Sequence, residues 1–320
     1  MKKTIIAIIG LFLCANLLQA QNEIMYIMKS GAIIKQFNLN TEVDSIIFYY
    51  PNNKPVITLE LQSEFIPAGT FTMGSSNTEE GRESTEVEHQ VTLSAFRMSK
   101  FEITNAQYAA FLNAKSILKN GLYTAGAYPT QTLIFESSGS HDWGLHYNGY
   151  QWVPVAGYEN HPVIMVTWYG AAEFATYSGG SLPTDAQWEY ACRANTTTPF
   201  NTGDCLSNTQ ANYDWSNPYG SCTNIISTSP GSTQKVGSYP PNSYGLYDMH
   251  GNAAEWCNDR FGTSPTTPQT DPTGPLTGPN RVFRPGSYAS RAQECRSASR
   301  TFMDASYIGY NLGFRIVFVP

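Results

Sequence analysis

Behind residues 1–20 the chain opens with three short apolar runs. IMYIM (24–28) and AIIKQF (32–37) are separated by K-S-G, a turn signal, and VDSIIFYY (43–50) follows before PNNKP breaks the pattern. Residues 21–57 are therefore expected to form a small β-rich segment, too short to bury a core alone. From residue 58 the pattern changes. EFIPAGTFTMGSS holds a strand with glycine at turn positions, and VTLSAFRMSKFEIT alternates apolar and polar residues as a half-buried strand does. Three helices are then announced by their caps. Thr104 precedes NAQYAAFLNA with Gln107 three residues on, and Thr184 precedes DAQWEYACR with Gln187 at the same spacing; each is a capping box. Thr167 precedes WYGAAEFATYS, which Gly179 closes. A long irregular stretch follows, and NLGFRIVFVP reads as a final strand. There is no internal repeat. This order predicts an α+β domain over residues 58–320 with little regular structure.

Residues 1–20 carry a different signal. MKK, an apolar run and LQA read as a secretory signal peptide cleaved after Ala20, too short and too early for a membrane span. Cys14 is preceded by Leu13, not by the small residue a lipoprotein signal wants. No later run reaches the roughly 18 apolar residues of a span. The expected location is exported: periplasmic, cell-surface or secreted. With 26 Gly and 19 Pro, much of the chain must satisfy its backbone through irregular hydrogen bonds. The net charge of −6 supplies no basic field for nucleic acid.

Of six cysteines, five lie beyond Ala20: Cys192, Cys205, Cys222, Cys257 and Cys295. An exported chain permits disulfides, and an odd number leaves a thiol over. Cys205 and Cys222 flank a loop rich in Ser, Asn, Thr and Gly, so a local bridge is expected there, contributing about 3 kcal/mol on the chain-entropy model. Among the other three, Cys257 with Cys295 is the preferred pair.

FIPAGTFTMGS, HQVTLSAFRMSKFEITNAQYAAFL, HPVIMVTWYGAAEFATYSGGSLPTDAQWEYACRA, NSYGLYDMHGNAAEWCND, RVFRPGS, RSASR and LGFR follow one another between about residues 62 and 318. In that order they resemble the successive blocks of the formylglycine-generating enzyme (sulfatase-modifying factor) family. The resemblance implies one irregular domain related to the C-type lectin fold. It also implies an oxidase that uses copper(I), held by two cysteines, to convert a sulfatase cysteine to formylglycine. Copper(I) is soft and favours thiolate sulfur. Counted forward from Pro285-Gly286-Ser287-Tyr288, those two positions fall on Ser290 and Cys295. Counted backward from Arg300, the loop is shorter than the enzyme's and Cys295 is not a catalytic position. Either register leaves one sulfur, and Pro285 replaces a family glycine. Cys295 is then expected to be a disulfide partner or a buried thiol, and copper is not expected. The same resemblance implies a Ca²⁺ site at Asp248, Gly251, Ala253 and Glu255, two side chains and two carbonyls offering the hard oxygens the ion prefers. A second family site would start near Asn212, but the acidic segment it needs is missing.

His141 and His146, near Glu136 and Asp142, read as loop polarity in preference to a metal site. His89, His161 and His250 read as structural hydrogen-bonders. Arg281, Arg284, Arg291, Arg296, Arg300 and Arg315 crowd the last forty residues. They are expected to tie loops together through backbone carbonyls, with a recognition groove for an anion or peptide as the alternative. The aromatic-rich residues 141–152 could wall such a groove. The functional expectation is a non-catalytic binding or scaffolding module whose partner is a protein, peptide or surface glycan. The alternative is a formylglycine-generating oxidase.

Overall fold

A computed structural model describes residues 61–320 except Pro285, together with the backbone of four strands before residue 49. The chain divides into two units, Met1–Thr58 and Leu59–Pro320. In the first, β2 (Ile24–Lys29) and β3 (Ala32–Asn38) form the expected antiparallel hairpin. β1 (Lys3–Ala7) runs parallel to β4 (Val43–Phe48). The expected leader overlaps β1; its cleavage point and Cys14 lie outside the described residues.

In the second unit β5 (Ser63–Ile66), β6 (Gly69–Met73), β7 (His89–Leu93) and β8 (Phe96–Ser99) precede α1 (Asn105–Ala114). Residues 91–104 do not form one strand. The chain breaks after Leu93, where both oxygens of Asp271 accept from Ser94, one from its N–H and one from its hydroxyl. β9 (Leu145–Tyr147) and β10 (Trp152–Pro154) form a hairpin, and α2 (Trp168–Tyr177) and α3 (Asp185–Arg193) follow. β11 (Ala254–Arg260), β12 (Gln269–Thr270), β13 (Asn280–Arg284), β14 (Thr301–Asp304), β15 (Leu312–Gly313) and β16 (Val317–Phe318) complete the unit. The sheet orders are β14-β13-β11-β15, β12-β7-β6 and β16-β8-β5. The expected single final strand is thus two fragments in two sheets. Between them Arg315 turns its side chain into the core, while Phe314 and Ile316 carbonyls accept from Ile103 and Ser99.

All three helices start where their caps predict. Thr104 and Thr184 complete capping boxes with Gln107 and Gln187, and Thr167 accepts from the Gly170 N–H. One core lies between α1 and α2, where Tyr108, Phe111 and Phe174 pack with Trp256 and Phe314. Each such side chain stabilises by about 1.5–3 kcal/mol. A second core joins α3 to β6–β8 and takes in Cys257. A third, smaller aromatic core of Phe200, Tyr213 and Tyr219 encloses Cys295.

Candidate functional site

The 286–295 loop begins at Gly286, whose φ of +112° only glycine holds without strain. A Cβ there would stand 3.3 Å from Cys295 Cα. Ser287 is wholly buried. Its hydroxyl accepts from Asn311 Nδ2 at 3.0 Å and lies 3.1 Å from Ser290 Oγ. Tyr288 packs edge-on against Trp143, and its N–H donates to the Asn252 carbonyl. Cys295 closes a short 3-10 turn, Ala292–Cys295, with Sγ 3.5 Å from the Arg291 carbonyl and 1% of its surface exposed. Burial pushes its thiol pKa well up, so the neutral form is held.

Cys205 and Cys222 are bridged, with Cα atoms 5.8 Å apart. The expected Cys257–Cys295 bridge is not formed: both thiols are free. Strand β11 carries Cys257 into the α3 core, whereas Cys295 sits in the separate aromatic core. Cys192, like the Cys295 carbonyl, meets His250: its Sγ lies 3.7 Å from Ser297 Oγ and 3.8 Å from the His250 ring. Burial pushes Cys192 up to about 12.

His250 fastens this region. Its Nδ1–H donates to the Cys295 carbonyl at 2.8 Å, and its Nε2 accepts the Asn201 N–H at 2.9 Å.

The 248–255 turn carries Asp248 and Asn252 at left-handed φ, +59° and +68°. Gly251 is needed for a close approach, since a Cβ there would meet the Asn212 carbonyl at 2.3 Å. Asp248 Oδ2 accepts the Gly237 N–H at 2.7 Å. Glu255 is gripped at both oxygens by Arg315, each at 2.7 Å, and Oε2 also accepts Trp188 Nε1–H at 2.6 Å. A third carboxylate, Glu102, was not foreseen. It accepts from Asn252 Nδ2 and the Ala253 N–H. Burial first, then the Asp248 and Glu255 charges, raise its pKa well above the usual range. Three buried carboxylates thus face one guanidinium. In KFEIT the glutamate stands between the apolar Phe101 and Ile103, which is the one signal that could have flagged it.

His146 Nε2 lies 2.6 Å from Asp142 Oδ1 and 3.0 Å from the Ser137 carbonyl, and His141 stacks on Tyr310 at 4.5 Å. His146 stands on β9 and His141 at the end of the short 3-10 turn Gly139–His141, not in an irregular loop. Trp143, Tyr288 and Ile308 cluster beside them, and Trp143 Nε1–H is buried with no acceptor among the described residues. Among the described residues no three His, Cys, Asp or Glu side chains are grouped to hold a metal; the expected Ca²⁺ set draws on only two.

The arginines do tie loops through backbone carbonyls, as Arg281 does to Asn258, Arg296 to Gly81 and Arg315 to Tyr247, and carboxylates join them as partners. Arg284 Nη1 donates to Glu189 Oε2 at 3.0 Å. Its Nη2 lies 2.6 Å from Asp185 Oδ1, a charge contact not aligned as a hydrogen bond. Arg296 meets Glu79 and Glu86, and Arg300 meets Asp185. Arg281 lies 3.6 Å over the Trp168 ring. Among the described residues these guanidinium groups have internal partners.

The fold and this loop define an irregular α+β domain of the class related to sulfatase-modifying factors. Residues 54–319 match the sulfatase-modifying factor enzyme 1-like domain, and the chain belongs to that family. It is 30% identical over 272 residues to the formylglycine-generating enzyme of Mus musculus, covering 78% of this chain and 73% of that one. It is 32% identical over 276 residues to that of Streptomyces coelicolor, covering 78% and 87%. A similar match, 32% over 256 residues, reaches serine/threonine-protein kinase pkn1 of Chlamydia caviae but covers only 37% of that protein. In fold it resembles Treponema denticola variable protein 1, with a TM-score of 0.58, 24% identity and 81% and 95% coverage. It also resembles PvdO from Pseudomonas aeruginosa, with 0.57, 24%, and 81% and 94%. Among the described residues no helix is long and apolar enough to cross a membrane.

Proposed function

We propose that this is an exported, non-catalytic member of its family that binds a protein, peptide or surface-glycan partner. One observation carries the reading. The loop in which the family resemblance would place copper offers Ser290 and Cys295, and the single sulfur is buried against Gly286 and the Arg291 carbonyl. A metal-binding thiol must lose its proton, and burial opposes that. Exposed Tyr310 and half-buried His141, backed by the buried Trp143 and Tyr288, form the face that would meet the partner, since planar rings give contact area at low entropic cost. The competing oxidase would need Cys192 and Cys295 together, both buried beside His250. Incubating the native protein with copper(I), oxygen and a Cys-x-Pro-x-Arg peptide separates the two. No aldehyde above the copper-only blank is expected, and catalytic turnover would sink the proposal.

Ca²⁺ belongs to the same reading. The excess of carboxylate over guanidinium around Glu102 is what a divalent ion would neutralise. Asp248, the Gly251 and Ala253 carbonyls and a remaining lone pair of Glu255 would hold it. Its part would be to clamp the turn that fixes Tyr288. Removing Ca²⁺ with EGTA is expected to lower Tm by roughly 5 °C, and Asp248→Ala to abolish that difference. An identical Tm with and without chelator would remove the ion from the proposal.

A further inference from the structure

A cavity of about 420 Å³ opens between α3, the end of β11 and residues 262–275, and none of its lining residues belongs to the 286–295 loop. Its volume lies in the range of small-molecule sites. Most of its polar groups are spent on the protein. Asp271 holds Ser94, and Arg300 holds Asp185 and Ser264 Oγ.

Several are not spent. Asp259 is 5% exposed; its Oδ2 accepts the Asp185 N–H at 3.0 Å, and Oδ1 has no hydrogen-bond or ion-pair partner among the described residues. His89, 8% exposed, donates Nδ1–H to the Val87 carbonyl at 2.9 Å, which leaves Nε2 a bare acceptor. Gln269 uses its Nε2–H on Thr267, so Oε1 remains. Thr263 and Thr273 add hydroxyls, and Pro265, Pro272 and Pro275 add flat apolar faces.

The charges around this floor balance. Arg193, Arg260, Arg284 and Arg300 stand against Asp185, Glu189, Asp259 and Asp271, so neither a cation nor an anion is called for. What the cavity lacks is donors for its acceptors, on a ligand that also offers acceptors and C–H surface. We infer that it is a binding site for a neutral polyhydroxylated molecule of monosaccharide size, with Asp259, His89 and Gln269 accepting from its hydroxyls. Burial first, then the Asp185 charge, raises Asp259 to about 7, so its carboxyl can meet a hydroxyl as acceptor or donor.

The test is titration of the ¹⁵N-labelled protein with D-glucose, D-galactose and D-mannose in turn, followed by backbone amide shifts. At least one hexose is expected to give saturable shifts confined to residues 259–275 and His89. Asp259→Asn keeps the acceptor for the Asp185 N–H but removes the charge, and should weaken binding roughly fivefold. Gln269→Ala, on the half-exposed β12, leaves the core untouched and should weaken it roughly threefold. No saturable shift with any hexose overturns the inference. So does n-butylammonium chloride saturating the same amides where hexoses do not, or wild-type affinity in both variants.

Discussion

Arg284→Met is expected to destabilise the domain by about 3–5 kcal/mol, a large share of the roughly 5–15 kcal/mol that keeps a typical domain folded. The guanidinium is completely buried and serves Asp185, Glu189 and the Ser297 carbonyl at once. Methionine fills much of the same volume, so little of the loss is a cavity. The cost comes from stranding charge. Arg300 still reaches Asp185 and Arg193 still reaches Glu189, but each carboxylate loses the wholly buried one of its two arginine partners. Lys119→Met is the control. Lys119 lies 2.9 Å from Glu136, a distance like that of Arg284 from Glu189, yet its side chain is 68% exposed. Water already solvates that pair, so its loss should cost under about 1 kcal/mol. Urea unfolding of the two variants measures both. Similar midpoints would mean that the arginine frame does not stabilise the fold.

Below neutral pH, His250 is expected to become a liability. Both ring nitrogens are committed, Nδ1 as donor and Nε2 as acceptor of the Asn201 N–H. A second proton would go onto Nε2, break that bond and place a charge in the core. Burial, reinforced by the Arg193 charge, accordingly lowers the pKa from 6.5 to about 4. The unfolded chain therefore binds the proton first. Stability from this group is whole above about pH 6.5, falls as pH drops, and is lost by about pH 4, where the penalty reaches roughly 3 kcal/mol. Asp248 and Asp259 are raised by burial to about 6 and about 7 and titrate with the opposite sign in the same window. The comparison to make is thus wild type against His250→Gln, in which those contributions cancel. Denaturation from pH 8 to pH 4 should show the two stabilities converging by that amount. A constant gap would show that His250 is not held neutral.

The locally encoded features were legible without coordinates. A capping box needs residues three apart, so Thr104/Gln107 and Thr184/Gln187 mark their helices whatever packs around them. The same holds for Cys205 and Cys222, whose separation of 17 residues lets the loop close with little help from the rest of the fold. The ordered blocks also determined the family, and with it the α+β architecture.

Wherever partners are far apart in the chain, tertiary structure decided. Cys257 and Cys295 were paired by reputation of position, but β11 and the 3-10 turn deliver them to different cores. Arg315 interrupts what reads as a plain terminal strand because Glu255, 60 residues earlier, waits for it inside. Glu102 joins the Asp248 turn across 150 residues through Asn252, and His89 and Asp259 come to one cavity from strands β7 and β11. Patterns of polarity report which side of a segment faces inward. They do not report which distant charge meets it there, because that depends on how irregular loops close over one another.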